Sequence, residues 1–320
     1  MTSDAPATPK PLVSIICPAY NEQDNARMFY DRVAVMAAPL SGRYDFEIIY
    51  MNNRSTDKTR EVVLDIIAQD SRVKLLTLSR NFGYQPSILC GMTHASGDAS
   101  IVIDCDCEDP PEMVVDFIAK WEEGYDVVYG IRDKRIEPVM ILRMRGWFYW
   151  LLQKTADNDI VMHMAEFGLV TQEVRQHMLA NQTTFPFLRT EIGYVGFRRI
   201  GLSYLRQARV HGTTNYSYWR MTVFALGGIL SSSTFLLRIA AYFLGILLPV
   251  NGLLTLLFLF DIWPKAFLLL VALDLMYLMA VVGIIGVYVA RIYKNGLNRP
   301  VYIVDWKLSH FPKIDRTSAL

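Results

Sequence analysis

From Ile239 to Phe260 no residue carries a charge, and from Ala266 to Ala290 only Asp274 does. As helices, both runs are long enough to cross about 30 Å of hydrocarbon. Burying two such helices in a soluble core needs a large surrounding protein, and a chain of 320 residues leaves too little for that. The link Asp261-Ile-Trp-Pro-Lys265 is short, so the spans are expected to form a hairpin with both ends on one side of a membrane. Arg209, Arg220 and Arg238 precede the first span, and Arg291, Lys294, Arg299 and Lys307 follow the second. The link holds only Lys265. Basic flanks stay on the cytoplasmic side, which places both ends, and residues 1–217 with them, in the cytoplasm. Met1 to Lys10 is polar and proline-rich, unlike a signal peptide. A carboxylate at Asp274 is costly in mid-span. It is expected to be protonated, or to pair across a helix contact or a contact between copies, so a homo-oligomer is one expectation.

A formal net charge of +1 argues against a nucleic-acid partner. Cys17, Cys90, Cys105 and Cys107 show no zinc spacing, and a cytoplasmic site disfavours disulfides. All four read as reduced thiols.

The first part of the chain alternates apolar runs with amphipathic stretches. Leu12–Cys17, Phe46–Met51, Val73–Leu78, Ser100–Asp104 and Val127–Ile131 read as strands. Helices are expected from about Asp24 to Ala38, through Val62, Val63, Ile66 and Ile67 with Ser55 as cap, near Pro86 to Ala95, and from Pro111 through Ile118. Strict alternation implies a parallel sheet wrapped by helices. Ligands of such sheets sit beyond the carboxyl ends of the strands, here Pro18–Glu22, Asn52–Asp57, Ser79–Gly83 and Asp104–Asp109. No G-x-G-x-x-G follows the first strand, which disfavours a dinucleotide site.

One of these ends is crowded with charge: Asp104-Cys105-Asp106-Cys107-Glu108-Asp109. Like charges this close repel unless a cation neutralises them. On an extended chain Asp104, Asp106 and Glu108 share a side and suit Mg²⁺ or Mn²⁺ bridging to a diphosphate. The bland alternative is a solvated acidic turn that caps a helix.

These residues carry a resemblance. Pro18-Ala-Tyr-Asn-Glu22, Ser79-Arg-Asn-Phe-Gly83, the D-x-D with Asp109-Pro-Pro111, Glu123-Gly-Tyr-Asp-Val-Val128, Thr184-Phe-Pro-Phe187, Asn215-Tyr-Ser217 and Arg291-Ile-Tyr293 through Arg299-Pro300 follow in order from about Val13 to Val304. The chain resembles the family-2 glycosyltransferases that act on polyprenyl phosphates, such as bactoprenol glucosyltransferases, undecaprenyl-phosphate aminoarabinose transferases and dolichyl-phosphate mannose synthases. The resemblance implies an α/β fold of the GT-A type, a doubly wound and mostly parallel sheet, followed by the two-helix transmembrane hairpin. It divides the chain into a cytoplasmic catalytic domain (1–217), an interfacial amphipathic helix (218–236), two spans within 237–290 (about 239–260 and 266–290) and a cytoplasmic tail (291–320). It implies inverting transfer of a sugar from a nucleotide sugar, UDP-linked, to an undecaprenyl-type phosphate, for a cell-envelope glycan or lipid at a bacterial inner membrane.

Residue roles follow from the same resemblance. Pro18, Tyr20, Glu22, Asn53, Asp57 and Asp104 bind the nucleotide. Asp104, Asp106 and Glu108 hold the metal, and Asp106 and Glu166 are catalytic. Arg132, Lys134, Arg135, Arg143 and Arg209 receive phosphate groups. Several positions depart from the usual pattern. Asn52-Asn53-Arg54-Ser55 stands for Asp-Asp-Gly-Ser, Glu108 for Gln, Asn215 for Lys and Ala165-Glu166 for Gly-Asp, and Gln172 stands where a basic residue is usual. The site is therefore expected to be less positive than in relatives. A phosphate monoester has its second pKa at about 6, so the acceptor is already a nucleophile at neutral pH and a strong base is optional. Two rival readings are a membrane transferase with a hydroxyl acceptor, whose Q-x-x-R-W motif is missing, and a catalytically weakened scaffold.

Overall fold

The computed structural model describes residues 9–132, 143, 161, 164–181, 188–207 and 233–312. Among them the chain forms two units. One holds a seven-stranded sheet together with residues 300–312, and the other holds the two long apolar helices.

The sheet unit runs β1 (Leu12–Ala19), α1 (Ala26–Ala37), β2 (Asp45–Asn52), α2 (Thr59–Ile67), β3 (Val73–Thr77), α3 (Tyr84–His94), β4 (Ala99–Val102), α4 (Val114–Glu122), β5 (Val127–Arg132), β6 (Met164–Thr171), α5 (Gln172–Ala180), α6 (Leu188–Val195) and β7 (Arg199–Tyr204). The strand order is β3-β2-β1-β4-β6-β5-β7. Every neighbouring pair is parallel except the two made by β6, which runs antiparallel to β4 and β5. The expected doubly wound sheet is present, and its order carries one inserted antiparallel strand.

Two apolar layers cover the sheet. Val13, Ile15, Cys17, Ile48 and Tyr50 pack with Phe29 and Val33 of α1, Ile66 of α2 and Phe117 of α4. Ile16, Ile49, Met51 and Val102 point the other way, toward Ile88 of α3, Val174 of α5 and Ile192 of α6. Strands covered on both faces read as continuous apolar runs, which is why β1 and β2 are plain in the sequence. α3 lies close on β1 because position 91 is glycine: a Cβ there would sit 2.3 Å from Ile16 Cγ2. All four cysteines are buried free thiols.

The helical unit consists of α7 (Phe235–Leu259) and α8 (Ala266–Gly296). At 1.5 Å per residue they measure about 37 and 46 Å. Leu254 and Ala266 are their only buried residues. Two apolar helices this long and this bare are candidate membrane spans. Pro249 lies inside α7, as spans tolerate. Asp274 finds its partner across the hairpin, where Asn251 Nδ2 donates to Asp274 Oδ1 at 2.6 Å. Tyr277 and Tyr288 donate to the carbonyls of Ala240 and Ser233. The helix contact expected for Asp274 is present.

Three local expectations are corrected. Ser55 does not cap α2, which begins at Thr59; its Oγ instead accepts from Asn21 N at 3.0 Å. β4 ends at Val102, so the acidic stretch is not extended. Residues 300–312 are no free tail but bridge antiparallel to residues 75 and 78. Lys134, Arg135, Arg209, Asn215, the Thr184–Phe187 motif and the interfacial helix expected at Trp219–Ser232 lie outside the described residues.

Candidate active site

The carboxyl ends of β1, β2 and β3 are stitched together by side chains. Asn21 takes a left-handed backbone (φ 56°), and its Oδ1 accepts from Thr56 N at 2.8 Å. Asp57 accepts from Gln23 N at 3.2 Å and from Thr59 N at 3.0 Å. Asn53 reaches the third turn: its Nδ2 donates to Asn81 Oδ1 at 3.1 Å and to Gly83 O at 3.0 Å, and its Oδ1 accepts from Phe82 N at 2.9 Å. Asn53 and Asp57 thus hold three turns in register. Pro18 is buried at the end of β1, and Tyr20 beside it is 44% exposed. Glu22 Oε2 accepts from Asn25 Nδ2 at 2.6 Å.

Beyond β4 the acidic stretch folds back on itself. Asp106 Oδ1 accepts from Glu108 N at 3.1 Å, an Asx-type turn, and Cys107 takes a left-handed conformation (φ 54°). Within the turn the carboxylates take different partners. Asp104 and Asp106 stay near the strand end. Glu108 pairs with Arg206. Asp109 is almost fully buried; it pairs with Arg132 Nη2 at 2.8 Å and accepts from Tyr204 Oη at 2.5 Å. Arg132 Nε also lies 3.1 Å from Tyr204 Oη. Burial opposes the charge of Arg132, but Asp109 outweighs it and holds the guanidinium well above its ordinary pKa. Among the described residues no three His, Cys, Asp or Glu side chains form a ready ion cage.

Glu166 reaches the site because β6 is antiparallel. Val102 pairs with Gly168, which brings Glu166, two residues away on β6, to the same end of the sheet as the turn after β4. Tyr84, in the first turn of α3, lies between them. Its hydroxyl donates to Asp104 Oδ1 at 2.6 Å. Its phenol is held well above its ordinary pKa, first by burial and then by the charges of Asp104 and Glu166. Burial likewise pushes the Asp104 carboxyl up to about 7, against the lowering effect of the Tyr84 hydrogen bond. Glu166 is itself buried. Arg189 Nε of α6 approaches Glu166 Oε1 at 2.9 Å, but neither carboxylate oxygen has a hydrogen-bond partner among the described residues.

Tyr84, Arg189, Tyr204 and Arg206 were not singled out from the sequence. Tyr84 directly follows the motif Ser79–Gly83, and Arg189 stands two residues after Thr184–Phe187; that proximity is the available signal. Arg143 is exposed. Gln172 does not belong to the site: its N–H donates to Asp98 O at 2.7 Å, beside the amino end of β4. The five strand residues after Glu166 span about 17 Å and carry the chain to the amino end of β4, where Thr171 pairs with Ala99. The charge of the site is therefore not lowered by this position.

Residues 14–179 match the family described as Glycosyl transferase family 2. The chain is 34% identical over 302 residues to the uncharacterized glycosyltransferase YkcC of Bacillus subtilis, covering 91% of this chain and 93% of that one. It is 31% identical over 314 residues to the bactoprenol glucosyl transferase of Shigella phage SfII, covering 93% and 98%. Among solved structures it resembles the mannosyltransferase PcManGT of Pyrobaculum calidifontis, in complex with GDP-Man and Mn²⁺, at 20% identity and a TM-score of 0.47, covering 67% of this chain and 61% of that chain. With a family match over more than half its length and relatives above 30% identity across nearly all of it, this chain belongs to glycosyl transferase family 2.

Proposed function

We propose that this protein transfers a sugar, with inversion, from a UDP-linked donor to a polyprenyl phosphate of the undecaprenyl type at the cytoplasmic face of a membrane. The observation that carries the reading is the meeting of Asp104, from the turn after β4, and Glu166, from β6, around Tyr84, in a chain that also has two bare apolar helices. The relatives named bactoprenol glucosyl transferase support the acceptor. The chain leaves the sheet unit before α7 and re-enters it by residue 300. A hairpin whose two ends join one domain keeps both ends on one side, and the basic flanks favour the cytoplasm.

The residues fit a divalent cation at Asp104 and Asp106. Mg²⁺ and ions like it take one or two carboxylates and complete their shell with water and substrate phosphates, which suits a pair better than a trio. A buried carboxyl at about 7 is one whose charge its surroundings leave uncompensated. When bound, the metal supplies charge for the departing nucleoside diphosphate. The stitched turns shape the nucleotide pocket: Tyr20 presents an exposed ring, and Asn53 and Asp57 fix the loops around it. Arg132 anchors the acidic turn through two of its five N–H groups and keeps the rest for phosphate. The resemblance assigns Arg135, Arg143 and Arg209 to phosphate as well. Glu166 orients the lipid phosphate or a donor hydroxyl, since a nucleophile already charged at pH 7 needs no strong base.

The test incubates membranes containing the protein with undecaprenyl phosphate and a panel of UDP- and GDP-sugars, with and without chelator. The reading expects one lipid-linked product from a UDP-sugar, lost on chelation and restored by Mn²⁺. Transfer from GDP-sugars alone overturns the donor, full turnover in chelator overturns the metal, and no product from any donor overturns the activity.

A further inference from the structure

Residues 300–311 do more than follow α8. His310 and Leu75 exchange backbone hydrogen bonds at 2.8 and 2.9 Å, Asp305 N donates to Thr77 O at 2.8 Å, and Ser79 N donates to Ile303 O at 2.8 Å. Ser309 Oγ accepts from Thr77 N at 2.9 Å, and Arg60 Nε donates to Leu308 O at 3.0 Å. Tyr302, Trp306 and Phe311 surround the buried His94 ring with centroids 5.7–6.4 Å away. The segment therefore closes the edge that β3 would otherwise expose. It also reaches two of the three turns at the strand ends. Ile303 holds Ser79 at the start of one. Asp305 Oδ2 lies 3.2 Å from Arg54 Nη1 in another. Arg54 has a left-handed backbone (φ 62°), a conformation that a glycine takes freely and a residue with a Cβ resists. The sequence thus places arginine where the family usually has glycine, and the structure gives that arginine a partner from a distant segment.

We propose that residues 300–311 are a working part of the donor site. They brace the turn that follows β2, and Asp305 acts as a positioning residue that holds Arg54, and with it Asn53, in the shape the nucleotide requires. This rests on the reading of that turn as nucleotide-binding. Because the brace is continuous in sequence with α8, the same short segment serves the anchor and the donor pocket.

Three forms of the full-length protein in detergent test this: unmodified, Asp305→Asn, and Asp305→Asn combined with Arg54→Gly. Two readouts are taken, amide exchange over residues 53–57 and titration with UDP in the presence of Mn²⁺. Asp305→Asn is expected to speed exchange there by about two- to fivefold, the scale of a half-exposed ion pair, and to weaken UDP by a similar factor, with the amides of β1 unchanged. Adding Arg54→Gly is expected to restore both, because glycine keeps the left-handed turn without a partner. Unchanged exchange in Asp305→Asn overturns the brace. Faster exchange with unaltered UDP affinity overturns its role in donor binding, and failure of the double variant to recover overturns the link through Arg54. If the unmodified protein binds no UDP, the donor reading of the turn falls, and exchange still decides the brace.

Discussion

The two ends of the sheet bury the same kinds of side chain and treat them differently. At the amino ends, Glu47 is buried and fully engaged: Oε1 accepts from Ser14 Oγ at 2.5 Å and Ser96 N at 2.7 Å, and Oε2 pairs with Lys74. Ser14 Oγ also accepts from Gly97 N, Asp98 Oδ2 accepts from Leu12 N, and the buried Arg175 donates to Ser100 Oγ. At the carboxyl ends, Glu166 is approached by Arg189 Nε at 2.9 Å but accepts no hydrogen bond at either oxygen among the described residues, and burial drives the Asp104 carboxyl up to about 7. Burying a charge is tolerable when its partners are in place and costly otherwise. Satisfaction, not burial, separates Glu47 from Asp104.

Substitutions at the two ends sharpen this contrast. The largest effect on transfer is expected at Asp106. Asp106→Asn removes the charge proposed to bind the metal and is expected to lower turnover on the order of 10³-fold while the melting temperature holds; an active variant would overturn that assignment. Glu166 comes next. Glu166→Ala is expected to cost on the order of 10²-fold in kcat, as misplacement does, whereas Glu166→Gln keeps most of the rate if the residue only orients groups. A Gln variant as slow as the Ala variant would make it a base or a ligand.

Smaller losses belong to residues that hold the acidic turn. Arg206→Ala leaves Glu108 without its cation and is expected to slow transfer about tenfold, the usual cost of losing an outer-shell partner, measured at saturating donor and lipid. The smallest effect on transfer is expected from the amino end. Glu47→Gln is expected to leave turnover per folded molecule unchanged and to cost about 3 kcal/mol of stability, as breaking a buried pair does. If this variant lost activity without losing stability, the division between the two ends would fail.

How far the sequence disclosed this arrangement follows from where its signals are local. The first four strands and the hairpin are apolar runs that announce themselves, and so is β5. β6 is different: Met164–Thr171 has glutamate and glycine in its middle, and no periodicity says that it inserts antiparallel between β4 and β5. That pairing is non-local, yet it alone brings Glu166 to the end of the sheet where Asp104 lies and takes Gln172 to the other end. The resemblance supplied Glu166 without the reason. The acidic stretch was legible as a cluster, but its division was not, because that division depends on the turn at Cys107 and on Arg206, Arg132 and Tyr204 arriving from other strands. Residues 300–312 offered a short apolar run behind Pro300, too brief to reveal that it closes the sheet edge.

The acceptor is the point on which the account stands, since the argument for a site without a strong base requires a nucleophile that is already an anion. The direct measurement gives the purified protein vesicles containing undecaprenyl phosphate and undecaprenol in equal amounts, adds labelled nucleotide sugar and Mn²⁺, and separates the lipid products. The account predicts label only on the phosphate-bearing lipid, with the rate rising with pH through about 6 as the second proton leaves. Label on undecaprenol, or a rate indifferent to the presence of the phosphate lipid, would contradict it.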